Sequence, residues 1–173
     1  MAKTLTLILG GAASGKSAFA EKIVLGSGLK PTYIATAQAF DDEMREKISR
    51  HVAARGSVWN TLESPLALPE TLRGISPDQS VLIDCLTLWL SNLLLMERDI
   101  ELATQDLMSA LQTCPAPVTM VSNEVGQGIV PDNALSRQFR EAQGRLNIEI
   151  AAQADRVAQL VAGLPNVLKG SFQ

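Results

Sequence analysis

The chain has 173 residues and a formal net charge of −3, and aromatic residues make up only 4% of it. This length suits one sheet covered on both faces, so we predict a single domain over residues 1–173. The negative charge disfavours a general nucleic-acid binder, and the few aromatic residues argue against a base-stacking surface. No apolar run is long enough to cross a membrane. Cys85 and Cys114 lack metal-ligand spacing, so we expect reduced core thiols in a cytoplasmic protein.

Strand and helix patterns alternate along the chain. The predicted strands cover residues 4–9, 31–36, 80–85, 117–123 and 156–164. The predicted helices cover residues 16–25, 41–55, 86–96, 100–113 and 134–154. This alternation predicts an α/β fold of three layers, in which helices flank a mostly parallel sheet.

Two segments have features of their own. Residues 62–80 contain three prolines and are predicted to wrap the surface around one short helix. In the last predicted helix, Leu135, Phe139, Leu146 and Ile150 are spaced for one apolar face.

The first predicted strand leads into a phosphate-binding loop pattern, G-x-x-x-x-G-K-S. Glycines allow the tight turn that brings several N–H groups onto phosphate oxygens. Lys16 is expected to neutralise the outer phosphates, and the hydroxyl of Ser17 suits a Mg2+ ligand at a helix N-terminus. The alternative is a glycine-rich turn that binds nothing. We predict nucleotide contacts at Gly10, Gly11, Ala12, Ala13, Ser14, Gly15, Lys16 and Ser17.

Ligands of parallel sheets lie beyond the carboxyl ends of the strands, so the residues that close each strand are candidates. Asp84 closes an apolar strand. In phosphate-loop enzymes, an acidic residue at this position binds Mg2+ directly or through water. The alternative is that Asp84 caps the helix that begins at Leu86. Asn123 and Glu124 close the next strand and either reach the cleft or belong to a glycine-rich loop.

The only histidine, His51, lies four residues from both Lys47 and Arg55, so the three share one face of the predicted helix. Neighbouring cations disfavour the imidazolium ion and attract a phosphate chain, which suits a neutral nucleophile aimed at phosphorus. The alternative is a surface histidine on a polar helix, and composition alone favours it. Arg137, Arg140 and Arg145 similarly form either a solvated face or a substrate clamp.

Seven segments resemble, in order and spacing, the bifunctional adenosylcobinamide kinase/adenosylcobinamide-phosphate guanylyltransferase family of cobalamin biosynthesis. They are ILGGAASGKS, YIATAQAFDDEM, KISRHVAARG, WNTLESP, LIDCLT, SNEVGQGIVP and QFREAQGRLN. The resemblance implies that His51 becomes guanylylated. It also implies nucleotide contacts, beyond the loop, at Ile34, Ala35, Thr36, Val52, Ala53, Ala54, Arg55, Glu63 and Asp84.

The resemblance further implies two reactions. ATP or GTP, with Mg2+ bound by Ser17 and Asp84, phosphorylates adenosylcobinamide, and GMP from GTP then passes through His51 to give adenosylcobinamide-GDP. The implied fold is similar to RecA-type phosphate-loop proteins. Family members are oligomers, notably trimers, and their substrates are small molecules.

The sequence departs from the family pattern at three positions. Ala13 stands where the family usually has arginine, and Val52 where a basic residue is common. Both changes remove positive charge near the expected phosphates. They put the expected nucleotide affinity in question but leave the expected reaction class unchanged. Ile148 replaces a usual glutamine, which weakens inference about substrate contacts on that helix.

Two other functions stay open. Another phosphate-loop kinase for small molecules would give no role to His51. A GTP-binding regulatory protein would need a guanine-reading N-K-x-D element, which residues 122–126 do not supply.

Overall fold

The computed structural model describes residues 3–38 and 56–172. The strands are β1 (Leu5–Gly10), β2 (Lys30–Ala35), β3 (Asn60–Glu63), β4 (Gln79–Asp84), β5 (Val118–Asn123), β6 (Arg156–Val161) and β7 (Leu164–Lys169). The α-helices are α1 (Lys16–Leu25), α2 (Leu68–Arg73), α3 (Leu86–Leu95), α4 (Ile100–Thr113) and α5 (Ala134–Gln153). A short 3-10 helix covers Gly56–Val58. The helix predicted over 41–55 lies outside the described residues.

All seven strands form one sheet in the order β3-β2-β4-β5-β1-β6-β7. Strands β1 to β6 are mutually parallel, and only β7 is antiparallel to its neighbour β6. Helix α1 packs on one face of the sheet, and α2 to α5 contribute to the core on the other face. The predicted fold class, a three-layer α/β architecture with a mostly parallel sheet, is confirmed.

The buried strands show why the sheet needs helices on both faces. In β4, Val81 and Ile83 belong to the core under α3, whereas Leu82 belongs to the core under α1, and all three are fully buried. Successive side chains of a strand point to opposite faces, so an uninterrupted apolar run fits only a strand covered on both sides.

The end of the chain forms a hairpin where one strand is predicted over 156–164. Ala162 and Gly163 both have positive φ angles, of 52° and 80°. Two-residue hairpin turns that match the twist of the strands require such angles, and an apolar pattern alone does not reveal them. Strand β3 is also absent from the prediction, because its four residues are mostly exposed and lack an apolar pattern.

The structure differs from the prediction in the segment 62–80 and on the apolar face of α5. The segment 62–80 does contain one short helix, α2, but Leu68 and Leu72 of this helix are fully buried in the core, so the prediction of a surface wrap is wrong there. On α5, Leu146 and Ile150 are buried as predicted, whereas Leu135 is 49% exposed. The fully buried Gln143 lies on the inner face instead.

Two expectations from composition, on the cysteines and on membrane spans, can be compared with the structure. Cys85 and Cys114 are free thiols and both are buried, as predicted. Among the described residues, no helix is both long enough and apolar enough for a transmembrane segment.

Candidate active site

The carboxyl ends of the six parallel strands meet at one edge of the sheet. Ala35 at the end of β2 pairs with Glu63 of β3 on one side and with Asp84 of β4 on the other. Gly10 at the end of β1 pairs with Asn123 of β5. The structure thus brings together, from distant parts of the sequence, the strand-end residues that the sequence identifies as candidates.

The loop from Gly10 to Gly15 depends on its glycines. A Cβ atom on Gly10 would lie 2.5 Å from Ser14 Oγ and 2.7 Å from the carbonyl oxygen of Leu160, which is too close for any side chain. Gly15 has a φ of 93° and precedes the first residue of α1, Lys16. The loop therefore ends at a helix N-terminus, whose N–H groups and partial positive charge favour a bound anion.

Lys16 lies over this loop and is 7% exposed. Its Nζ donates to the carbonyl oxygen of Gly11 at 2.5 Å and to Ser14 Oγ at 3.5 Å. Burial lowers the pKa of Lys16, while Cys85 and Asp84 act in the opposite direction. The Asp84 carboxylate is therefore close enough to Lys16 to favour its charged form.

Asp84 does not cap the helix that follows it. The residue preceding α3 is Cys85, and no side-chain hydrogen bond caps the helix. Instead, Asp84 Oδ2 accepts a hydrogen bond from the Tyr33 hydroxyl at 3.0 Å. The capping alternative is therefore wrong, and a half-buried carboxylate remains at the edge next to the loop.

Thr36 joins the ends of β2 and β4. Its Oγ1 donates to the carbonyl oxygen of Cys85 at 2.7 Å and accepts from the Cys85 N–H at 2.8 Å. Asn92 of α3 donates to the carbonyl oxygens of Thr36 and Pro65 at 2.8 and 2.9 Å. Because the groups of Thr36 and Cys85 are buried, each unmade hydrogen bond would be costly, and the backbone of these two neighbours of Asp84 is held in place.

A buried network holds the end of β5. Gln143 Nε2 donates to Ser122 Oγ at 2.9 Å and to Asn147 Oδ1 at 3.1 Å, and Ser122 Oγ donates to Asn147 Oδ1 at 2.6 Å. Asn147 Nδ2 donates to the carbonyl oxygen of Asn123 at 3.3 Å. Sequence reasoning missed this network, although polar residues four apart between the apolar positions of α5 were the available signal.

Strand β5 also connects directly to the phosphate-binding loop. The N–H of Glu124 donates to the carbonyl oxygen of Gly10 at 3.0 Å, and the N–H of Asn123 donates to Thr87 Oγ1 at 2.8 Å. The Glu124 carboxylate bonds to the N–H of Gly126 at 2.7 Å, within its own loop. Asn123 and Glu124 thus lie at the cleft edge, with the Glu124 carboxylate turned toward its own loop.

The hairpin turn between β6 and β7 supports the loop from the other side. The N–H of Gly163 donates to the carbonyl oxygen of Ser14 at 3.0 Å. A Cβ atom on Gly15 would lie 3.2 Å from Gly163 Cα, so the two backbones are in close contact. No sequence signal pointed to this contact.

The arginines of α5 have local partners. Arg137 donates to the carbonyl oxygens of Pro131 and Asp132, and Arg140 donates to that of Gly126. Arg145 forms an exposed ion pair with Glu141. These contacts fit the solvated-face alternative better than a substrate clamp.

The remaining candidates differ in their surroundings. The side chain of Ile34 is fully buried in the core on the face opposite α1, whereas Glu63 is exposed at the end of β3. Ala13 is exposed and has a φ of 53°. His51, Val52, Ala53, Ala54 and Arg55 lie outside the described residues.

The sequence model of the family described as cobinamide kinase / cobinamide phosphate guanyltransferase matches residues 6–168. The chain belongs to this family. The resemblance inferred from the seven segments is thereby confirmed, and with it the enzyme class, a bifunctional kinase and guanylyltransferase.

Similar proteins cover nearly the whole of this cobinamide kinase / guanyltransferase. A bifunctional adenosylcobalamin biosynthesis protein of Pseudomonas aeruginosa, CobP, is 48% identical over 95% of this chain and 96% of its own. CobU of Salmonella typhimurium, with the same description, is 40% identical over 92% of this chain and 97% of its own.

Solved structures extend the comparison of the fold. A protein from Pyrococcus horikoshii has a TM-score of 0.55 at 10% identity and covers 98% of this chain and 88% of its own. The RadB recombinase has a TM-score of 0.48 at 18% identity, covering 90% of this chain and 73% of its own. At such low identity, the first similarity concerns the fold alone.

Proposed function

We propose that this chain phosphorylates adenosylcobinamide with a nucleoside triphosphate and then transfers GMP from GTP to the new phosphate, giving adenosylcobinamide-GDP. The observation that carries the proposal is the phosphate-binding loop beside Asp84, at the carboxyl edge of the sheet, in a chain of the cobinamide kinase / guanyltransferase family. The substrates are small molecules, and we propose no nucleic-acid partner.

In the first reaction, the loop N–H groups and the N-terminus of α1 bind the triphosphate. The Lys16 ammonium group exchanges its bond to Gly11 for phosphate oxygens and neutralises charge there. The substrate hydroxyl oxygen attacks the γ-phosphorus, the bond to the β-phosphate oxygen breaks, and the hydroxyl proton is released. Positioning and charge stabilisation supply most of the catalysis in such transfers.

Mg2+ fits the donor set at this edge, and we propose Ser17 and Asp84 as the residues that bind it. Mg2+ prefers oxygen ligands and retains several waters beside substrate phosphates. A hydroxyl in the first turn of α1 and the carboxylate oxygen of Asp84 not bonded to Tyr33 supply such ligands. When bound, the ion would stabilise negative charge on the phosphates.

In the second reaction, the His51 imidazole attacks the α-phosphorus of GTP and pyrophosphate leaves. A phosphate oxygen of the acceptor then attacks the same phosphorus, the bond from phosphorus to the imidazole nitrogen breaks, and the imidazole is released. Covalent catalysis divides one difficult transfer into two easier ones. The support is the segment KISRHVAARG and the presence of one histidine in 173 residues.

The test is incubation of His51→Asn and wild type with α-labelled GTP and with both corrinoid substrates. We expect the wild type to form an acid-labile, base-stable phosphoramidate. His51→Asn should lose the adduct and GMP transfer but keep phosphorylation of adenosylcobinamide, because that step needs no imidazole nucleophile. Lys16→Ala is the comparison, since both reactions need a bound triphosphate and both should be lost.

Each alternative has its own outcome in this experiment. An adduct that persists in His51→Asn would move the nucleophile elsewhere, with Lys47 the next candidate. A wild type that phosphorylates but never forms an adduct would favour the simple kinase. GTP binding without either transfer would favour the regulatory protein.

We also propose that the chain acts in the cytoplasm as a homo-oligomer, a trimer by resemblance. The two buried, free thiols suit a reducing compartment.

A further inference from the structure

A hollow of about 640 Å³ lies at the amino edge of the sheet, at the opposite end of the strands from the phosphate-binding loop. It is lined by the first residues of β1, β4, β5 and β6 and by the last turns of α1. Its volume is in the usual range of small-molecule sites. The proposed function does not use this region.

The floor of the hollow is a polar row across three neighbouring strands. Thr6 of β1 pairs with Thr119 of β5 on one side and with Arg156 of β6 on the other. The next residues along these strands on the same face are Ile8, Val121 and Ala158, which are buried under α1. The face thus changes from apolar to polar at the hollow, near the end of α1.

Hydroxyl groups line this floor, from Thr6 and Thr119 and from Ser80 on the neighbouring strand β4. Thr6, Ser80 and Thr119 are 1%, 3% and 4% exposed. Within residues 3–38 and 56–172, their hydroxyl groups form no hydrogen bond, and none of the three oxygen atoms is fully enclosed, so each keeps access to the hollow. Hydroxyl groups that open into the hollow without a protein partner are available to bond to its occupant, either a ligand or water.

Two cations border the hollow, in a chain whose net charge is negative. Lys22 lies in the last turn of α1, and Arg156 lies with its guanidinium carbon 5.8 Å from the centre of the Phe172 ring. None of the described residues that line the hollow is acidic. The nearby Asp155 carboxylate accepts from the backbone N–H of Leu5 at 2.7 Å. The local charge therefore favours an anion.

The walls are apolar. The rings of Phe19 and Phe172 lie 5.7 Å apart at an angle of 50°, and Ile23 extends the same surface. An occupant that fits both features carries an anionic group at the polar floor and a flat apolar body against the two rings.

We propose that this hollow is a second binding site, distinct from the nucleotide site, for a small aromatic or apolar organic anion. Arg156, Lys22 and the floor hydroxyls bind its phosphate or carboxylate, and Phe19 and Phe172 contact its body. Arginine suits this role because its planar group matches two oxygens of either anion.

The test measures binding of phenyl phosphate, benzoate and the uncharged benzyl alcohol to the full chain by titration calorimetry. At least one anion should bind saturably, with an affinity unchanged by saturating GTP, and benzyl alcohol should bind at least about tenfold more weakly. The tighter of the two anions identifies the anionic group. Arg156→Leu should weaken binding about tenfold or more, whereas Arg98→Leu, an exposed arginine elsewhere, should not.

The hydroxyls are tested separately because Arg156→Leu also removes the contact of the guanidinium group with the Phe172 ring. Thr6→Val and Thr119→Val conserve volume, and each should weaken anion binding by about threefold or more. Lys22→Ala, at an exposed position, should also weaken it. Absence of saturable binding would mean that water alone fills the hollow, and displacement by GTP would place the anion at the phosphate-binding loop. Either result, or unchanged affinity in all these variants, overturns the proposal.

Discussion

The contacts of Asp84 distinguish between the two roles that its sequence position allows. Sequence allows it to cap α3 or to serve phosphoryl chemistry, and the two roles need different neighbours. Its carboxylate accepts from Tyr33 and lies near Lys16, while α3 begins without a side-chain cap. The Asp84 side chain therefore does not cap the helix that follows it.

Asp84→Asn should lower both activities steeply with little effect on folding. Asparagine keeps an oxygen that accepts from Tyr33 but removes the charge proposed to bind Mg2+. We expect the free energy of unfolding to change by ~1 kcal/mol or less, as for one neutral hydrogen bond. Urea unfolding and initial rates at limiting Mg2+ measure the two effects.

Tyr33→Phe is the matched control for this variant. It removes the donor of the same hydrogen bond and leaves the carboxylate charged. Activity near wild type in Tyr33→Phe, together with a large loss in Asp84→Asn, supports the metal role. Full activity of Asp84→Asn at limiting Mg2+ contradicts it.

Cys85 is expected to make the protein less stable as the pH becomes alkaline. Burial, and to a lesser extent Asp84, raises the pKa of its thiol from 9.0 to about 11. The unfolded chain loses this proton first, so the contribution to stability is complete below pH 9 and is lost as the pH rises toward 11. Between pH 8 and 10.5, wild type should lose ~1–2 kcal/mol more stability than Cys85→Ala. Urea unfolding at both pH values tests this, and parallel losses in the two proteins would show that Cys85 does not control it.

At the scale of elements, the β6–β7 hairpin acts as a support for the phosphate-binding loop. Its turn donates to Ser14, and Gly163 Cα would lie only 3.2 Å from a Cβ atom on Gly15. The other side of the loop is joined to β5 through Glu124 and Gly10. The loop is therefore held between two elements that follow it by more than a hundred residues.

Gly163→Ala should weaken GTP binding, because a strained turn no longer presents its N–H correctly to Ser14. Gly28→Ala is a close control. Gly163 and Gly28 have φ angles of 80° and 70°, and an added Cβ would meet nothing within 4 Å at either position. Both variants should lose a similar ~1–2 kcal/mol of stability, but only Gly163→Ala should raise the dissociation constant for GTP, by about fivefold or more. Equal GTP affinity in the two variants would show that the contact is not needed for binding.

At the scale of the whole molecule, the last strand is unusual. All six residues of β7 are exposed, and these include Leu164 at 72% and Leu168 at 56%. Exposed edge strands with apolar side chains favour association with another chain. The opposite edge of the sheet ends at the short strand β3.

We therefore expect the protein to associate with itself, as the resemblance also implies. Sedimentation equilibrium should give a mass near three times the 18.5 kDa of one chain. A mass of 18.5 kDa at every concentration tested would contradict this prediction.

Features that depend on residues close together in the chain could be predicted from the sequence alone. The glycines, Lys16 and Ser17 are contiguous, and the apolar runs before Asp84 and Asn123 predict buried strands without knowledge of their partners. The segments around His51 and Glu124 sufficed to indicate the family, which the comparisons confirm. The assignment of nucleotide contacts and the single domain over residues 1–173 remain predictions.

Strand register and contacts between distant segments are known only from the tertiary structure. It turned Asp84 toward Tyr33, paired Gly163 with Ser14, and buried Gln143 against Ser122. It also placed Thr6, Thr119 and Arg156 in one row, although at least 37 positions along the chain separate any two of them. Local patterns carry no information about which strands pair, because pairing is set by the packing of the whole sheet.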